Sequence, residues 1–115
     1  MRHARGDTKL RVMFGSEIAI GPGKAELLAA IAETGSISAS AKRLGMSYRR
    51  AWLLVDTMNR CFREPLVASA AGGSGGGGAS VTAFGRRVLD RYRSMQAHID
   101  RVLDPELARF MELLR

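Results

Sequence analysis

Apolar residues change their spacing several times along this chain, and each change marks an element. Leu10, Val12 and Phe14 alternate with Arg11 and Met13, and Ile18 and Ile20 follow Gly15-Ser16. A period of two belongs to an extended chain, so we expect one strand here, bent at Gly15. Gly21-Pro22-Gly23 then turns the chain. Pro22 suits a first helical position, where its missing N–H costs nothing. Leu27, Leu28 and Ile31 share one side of a first helix, and Gly35 can end it in a left-handed conformation.

Residues 35–63 read as a helix, a tight turn and a second helix. Ser36 is a good N-cap, and Ile37, Ala41 and Leu44 form a one-sided stripe at i, i+4, i+7. Gly45 ends that helix, Met46 plugs the turn and Ser47 caps the next helix. Two steeply crossing helices need a small residue near the crossing, here Ala41, and a glycine at the turn. The third helix is expected from Tyr48 to Phe62, with Ala51, Val55, Met58 and Phe62 facing the core and Trp52 and Leu54 flanking them. At this spacing Trp52 reads as a core residue rather than a base-stacking one.

Pro65 ends the third helix. Leu66-Val67 opens a short strand, the glycine-rich run 72–78 makes a loose tip, and residues 79–82 return as the partner strand. Apolar residues flank the run on both sides, which favours a hairpin over an inter-domain linker. Thr82 can cap a long fourth helix carrying Phe84, Val88, Tyr92, Met95, Ile99 and Val102 on one stripe. The stripe then shifts phase to Leu103, Leu107, Phe110 and Leu114. Asp104-Pro105, an N-cap followed by a proline, sits at the shift, so we expect a kink or a restart at 104–105. The surplus of apolar residues along this helix suits self-association, through Val88, Tyr92, Met95, Ile99, Val102, Leu107, Phe110 and Leu114. The alternative is a helix folded back on its own domain.

The fold class that follows is mostly α with a small β-hairpin: a winged helix-turn-helix plus a long C-terminal dimerisation helix. Residues 1–9 are expected to be frayed, 10–83 to form the winged domain and 84–115 the long helix.

Charge narrows the partner. The chain has 115 residues and a net charge of +7. Residues 35–63 hold six basic side chains (Lys42, Arg43, Arg49, Arg50, Arg60 and Arg63) against one acidic one, Asp56. Such a concentration on a helix-turn-helix points to double-stranded DNA. The third helix would enter the major groove and the hairpin would lie over the adjacent backbone. Arg49 and Arg50, at the groove end, can each pair with the O6 and N7 of guanine. Ser47 and Tyr48 offer hydroxyls there. Lys42 and Arg43 suit phosphates, which position without specifying. Ser36 and Ser38 at the start of the second helix, Ser74 in the wing tip, and Arg86 and Arg87 in the first turn of the fourth helix complete the candidate DNA contacts. Arg86 and Arg87 oppose the helix dipole, a cost that a nearby phosphate would relieve.

The single cysteine, Cys61, excludes an intramolecular disulfide and a cysteine-built zinc site. It reads as a small core residue, with redox sensing as the second option because Arg60 and Arg63 are close. His3 and His98 pair with nothing as ligands or as a nucleophile and base, so no catalytic or metal site and no cofactor are expected. The N-terminus lacks a secretory apolar segment, and no apolar run is long enough to span a bilayer. A cytoplasmic location and no membrane partner are expected.

The motif GSIS-x-x-AK-x-x-G-x-SY-x-x-AW, followed by MN, LV, GG-x-GGGGA, T and G, resembles the N-terminal DNA-binding domain of the ModE family of molybdate-responsive regulators. It is carried by Gly35 to Ser38, Ala41-Lys42, Gly45, Ser47-Tyr48, Ala51-Trp52, Met58-Asn59, Leu66-Val67, Gly72-Gly73, Gly75 to Ala79, Thr82 and Gly85. The helix-turn-helix also resembles that of LysR-type regulators, whose long fourth helix dimerises. The resemblance implies a sequence-specific, homodimeric DNA-binding regulator, of molybdenum-related genes. Family members continue into molybdate-binding domains, and this sequence ends at Arg115, so a regulator without that sensor is expected. Family wings often carry basic residues. Here the strand reads Ala68-Ser69-Ala70-Ala71, so the wing should contribute less than usual. Two other functions stay open. The chain could heterodimerise with a full-length regulator and modulate it, or the glycine run could form an anion-binding nest for molybdate or phosphate. The run lacks G-x-x-x-x-G-K, which disfavours a nucleotide-binding loop.

Overall fold

The computed structural model describes residues 7–70 and 78–115. Ser74 and the rest of the wing tip therefore lie outside the described residues. The order is β1 (Val12–Phe14), β2 (Glu17–Ile20), α1 (Pro22–Thr34), α2 (Ile37–Leu44), α3 (Tyr48–Cys61), β3 (Val67–Ala70), β4 (Gly78–Val81) and α4 (Ala83–Met111). This is a winged helix-turn-helix with a long C-terminal helix, as the spacing predicts. The side-chain caps also form where expected. Ser36, Ser47 and Thr82 accept the backbone N–H of Ala39 at 3.0 Å, Arg50 at 3.1 Å and Gly85 at 2.8 Å. Each such cap stabilises its helix by about 1 kcal/mol.

The single bent strand expected over residues 10–20 is instead a hairpin. β1 and β2 pair antiparallel, Met13 with Ile18 and Phe14 with Glu17, around a turn at Gly15, whose φ is 63°. Folding the chain back satisfies the backbone groups that a lone strand would leave unpaired. The second hairpin, β3 with β4, keeps the expected pairing, with Val67 opposite Val81 and Ser69 opposite Ala79.

Gly45, with φ of 69°, lets the chain leave α2 while the Met46 N–H bonds Ala41 O at 2.9 Å. A residue with a Cβ would strain this left-handed position, and the angle between α2 and α3 depends on it. The core behind the pair is formed by Leu27, Leu28 and Ile31 of α1, Ala41 of α2, Ala51, Val55 and Met58 of α3, Leu66 and Val67 at the wing base, and Leu89 and Tyr92 of α4.

Two contacts fix the wing on this core. Asn59 accepts from Leu66 N at 2.8 Å and Val67 N at 3.2 Å, and donates to Val67 O at 3.0 Å. Its amide thus replaces a missing strand partner beside α3. At Gly85, α4 crosses the Leu66 backbone so closely that an added Cβ would lie 2.2 Å from Leu66 O. Only glycine fits there.

Three boundary expectations change. Gln96 of α4 donates to Thr8 O at 2.6 Å and accepts from Leu10 N at 2.8 Å, while Tyr92 donates to Leu10 O at 2.8 Å. Fraying over residues 1–9 therefore does not extend to Thr8. The same bonds make the first half of α4 part of the winged domain rather than a separate segment. Tyr92, assigned to self-association, is 5% exposed and fills its own domain's core. Of the kink or restart expected at 104–105, the restart is absent, since α4 runs unbroken through Pro105. A proline deep inside a helix forfeits one backbone bond, a loss that water at this exposed position offsets.

Candidate nucleic-acid interface

An α-helix turns about 100° per residue, so Ala51, Val55 and Met58 of α3 point into the core and their neighbours point away. Tyr48, Arg49, Trp52 and Leu53 all lie on the outward side. Tyr48 is 55% exposed, Trp52 48% and Leu53 46%. Trp52 is therefore not the core residue that its spacing suggested. Ala51 occupies the inward position, and the next residue is rotated out of it. Arg50 lies on the flank nearer α1, where its charge reaches Lys24. Burial holds Lys24 below its usual range, and Arg50 adds a smaller effect in the same direction.

The six cations of residues 35–63 separate into two groups. Arg43 pairs with Glu33 of α1. Arg60 pairs with Asp56 at 3.0 Å and Glu17 at 3.3 Å, and these bonds raise its pKa further. Arg63 pairs with Glu64 at 3.7 Å and stacks over the Phe84 ring at 5.3 Å. Among the described residues, Lys42, Arg49 and Arg50 have no carboxylate within ion-pair distance. Within residues 35–63 the uncommitted positive charge thus lies at the end of α2 and the start of α3. The Arg43 pair is exposed, and such pairs exchange readily for a stronger anion.

A groove of about 470 Å³ runs between α3 and the wing. Ser36, Ile37 and Ser38 at the start of α2 line it, with Tyr48, Trp52 and Asn59 of α3 and Ala68 and Ser69 of β3. Ser36 and Ser47 each use their oxygen as a cap acceptor, which leaves the hydroxyl hydrogen free to donate outward. The described part of the wing brings no cation to this groove. Arg86 and Arg87 are exposed in the first turn of α4 but do not line it. Arg87 instead lies 6.0 Å over the Phe84 ring, beside an apolar groove lined by Val12, Ile20, Phe62, Val88 and Met95.

Cys61 is half-buried, and its thiol donates to Glu17 Oε2 at 3.6 Å. Burial, then the bond and charge of Glu17, push its pKa up, outweighing Arg60 and Lys24. The activation that its basic neighbours suggested is overridden by burial and by a carboxylate distant in sequence. Among the described residues, no cluster of His, Cys, Asp or Glu could hold a metal ion. No described helix is long and apolar enough to cross a membrane.

The family model for the bacterial regulatory helix-turn-helix protein, lysR family, matches residues 23–86. The chain belongs to this family. Its helix-turn-helix is that of a DNA-binding transcriptional regulator. Relatives of this lysR-family domain include the molybdenum transport protein ModE of Azotobacter vinelandii, 42% identical over 78 residues, which are 68% of this chain and 29% of that protein. The molybdenum-pterin-binding protein MopB of Rhodobacter capsulatus is 42% identical over 84 residues, 73% of this chain and 31% of the relative. The DNA-binding transcriptional dual regulator ModE of Escherichia coli (strain K12) is 45% identical over 71 residues, 62% of this chain and 27% of the relative. The chain thus spans less than a third of the length of these relatives. In structure, the domain superposes on the CbnR DBD in a crystallised DNA complex with a TM-score of 0.60 and 23% identity, over 76% of this chain and 94% of that one. ArgP from Mycobacterium tuberculosis matches with a TM-score of 0.51 and 20% identity, over 79% of this chain and 30% of that one. At these identities the superpositions establish the fold.

Proposed function

We propose that this domain binds DNA as a sequence-specific homodimer, with α3 in the major groove, and regulates molybdenum-related genes. The observation that carries the reading is the exposed charge of Lys42, Arg49 and Arg50, at the end of α2 and the start of α3, without carboxylate partners among the described residues. A helix of about 10 Å diameter fits the major groove, and two guanidinium forks at its start reach guanine edges. Lys42, Arg43, Ser36, Ser38 and Ser47 then meet phosphates on either side. The molybdenum link rests on the relatives, whose names include a molybdenum transport protein and a molybdenum-pterin-binding protein.

Dimerisation rests on the end of α4, where Val102, Phe110, Leu113 and Leu114 are exposed. Self-pairing would cover them and set two recognition helices about one DNA turn apart. The same surface also suits a longer relative as partner, and sedimentation of the isolated chain separates the two cases. A homodimer supports the first reading; a monomer that captures a longer regulator supports the second.

The test is selection of duplexes from a random pool, followed by salt titration of the winner. The expected product has two half-sites, and the affinity should fall steeply as salt rises, by about 0.9 log units per log unit of salt for each phosphate engaged. Equal binding of selected and random duplexes overturns the proposal.

A further inference from the structure

Arginines explain a preference for guanine, but they do not explain why α3 carries a large apolar surface among them. Tyr48 and Trp52 stand at i and i+4 and are neighbours on one side of α3, while Leu53 stands four residues after Arg49 on the adjacent side. All three are about half exposed. Tyr48, Arg49 and Trp52 also bound a shallow concavity of their own. Tyr48 and Trp52 border the α3–wing groove, and with the described wing residues in place both remain about half exposed. A tryptophan left this exposed in the free domain gains stability once a nonpolar surface removes it from water.

The charges beside the patch select its occupant. Arg49 lies beside Tyr48 and Trp52, and neither it, nor Arg50 next in the chain, nor Lys42 at the end of α2 has a carboxylate partner among the described residues. An apolar protein surface would bury those guanidinium groups unpaired, which is costly. The DNA major groove offers both chemistries at once: anionic phosphates and guanine acceptors for the cations, and one apolar group on a base edge, the C5-methyl of thymine. We infer that Trp52, with Tyr48 and Leu53, is a specificity element that reads thymine methyl groups next to the bases contacted by Arg49 and Arg50. This inference rests on the DNA-binding reading above and adds a second base class to it.

Deoxyuridine isolates the methyl group, because it keeps every hydrogen-bonding edge of thymine. In the duplex selected from the pool, each half-site thymine is replaced in turn by deoxyuridine, and affinity is measured by fluorescence anisotropy. Burial of one methyl predicts about a fourfold loss at each contacted position. The Trp52→Ala variant, removed from an exposed site, should keep the wild-type thermal midpoint and bind thymine and deoxyuridine duplexes equally. Trp52→Phe should retain most of the discrimination.

Three results overturn the inference. Wild-type protein could bind all deoxyuridine duplexes as well as thymine ones. Trp52→Ala could discriminate as wild type does. Or Trp52→Ala could weaken selected and random duplexes by the same factor, which would place the indole on the sugar-phosphate backbone. If no duplex is enriched at all, the regulator reading falls first and this inference falls with it.

Discussion

The domain exposes large apolar side chains in two places, at the start of α3 and along the last turns of α4, and the two differ in what surrounds them. Around Tyr48, Trp52 and Leu53 stand Arg49, Arg50 and Lys42, with no carboxylate partner among the described residues. Around Val102, Phe110, Leu113 and Leu114 the charges alternate in sign: Asp100, Asp104, Glu106 and Glu112 against Arg101, Arg109 and Arg115. Arg109 already meets Glu106 at 3.7 Å. Exposure marks each surface as open to a partner; the neighbouring charge selects the kind. A cationic apolar face suits the major groove, which is apolar only at thymine methyls and anionic around them. A mixed-charge apolar helix end suits another copy of itself, since antiparallel or parallel self-pairing can match the signs.

The comparison breaks most sharply if the two surfaces prove interchangeable. Replacing Arg49 and Arg50 by glutamate should lower affinity for the selected duplex by about a thousandfold, since two base-reading contacts are lost and two repulsions gained. Sedimentation should show an unchanged oligomer. Retention of DNA affinity within tenfold would mean that α3 is not the reading helix.

The reciprocal change is Phe110→Asp with Leu114→Asp. It should yield monomers, and it should cost about a hundredfold on a duplex with two half-sites, where linked binding is lost. On a single half-site the loss should be under threefold. A variant that sediments as wild type would remove α4 from the dimer interface.

How much of this was visible beforehand depends on whether a local rule or a packed neighbour decides each feature. The caps at Ser36, Ser47 and Thr82, the turns at Gly35 and Gly45, and the start at Pro22 obey local chemistry, and each was legible in the sequence. So was the cluster of cations at residues 42–50. What the sequence did not reveal depends on partners far along the chain. Glu17 commits Arg60 and raises the Cys61 pKa from more than forty residues away. Trp52 was misread because a helical stripe two residues wide has ambiguous edges, and only the position of Ala51 against α1 and α2 decides which edge is inside. Tyr92 read as a dimer residue because its bond is to Leu10, outside its own helix. Asn59 stood out only through the family resemblance, since a lone polar residue on a helix carries no sign that it completes a strand.

Asn59 provides the next test, since it joins α3 to the wing base without belonging to either exposed face. Asn59→Ala leaves the buried N–H groups of Leu66 and Val67 without an acceptor, which should cost about 2 to 3 kcal/mol by urea unfolding. If α3 carries nearly all the reading, affinity for the selected duplex should fall less than tenfold at temperatures where the variant is folded. A loss as large as that of the paired glutamates would assign the wing a greater share than its lack of described cations suggests.

The smallest effect is also the one that best defines where the cationic face ends. Glu17→Gln should free Arg60 from one of its two carboxylates, leaving Asp56. The net charge beside the far end of α3 would then rise by one, and DNA affinity should rise about twofold at low salt, an increase that higher salt removes. The same substitution has an independent readout at Cys61. Glu17 raises that thiol's pKa by accepting its proton in a hydrogen bond and by its negative charge. With the charge gone, burial and a neutral amide acceptor still push the pKa up, but Arg60 and Lys24 are no longer opposed by a carboxylate. The pKa should therefore fall, the thiolate fraction at pH 8 should increase, and alkylation should accelerate several-fold, with the rate rising at a lower pH than in the wild type. Faster alkylation with unchanged DNA affinity would show that Arg60 lies beyond the edge of the DNA-facing surface, so that only the start of α3 makes the contact. Faster alkylation with a gain at low salt would extend the surface to the helix's last turn.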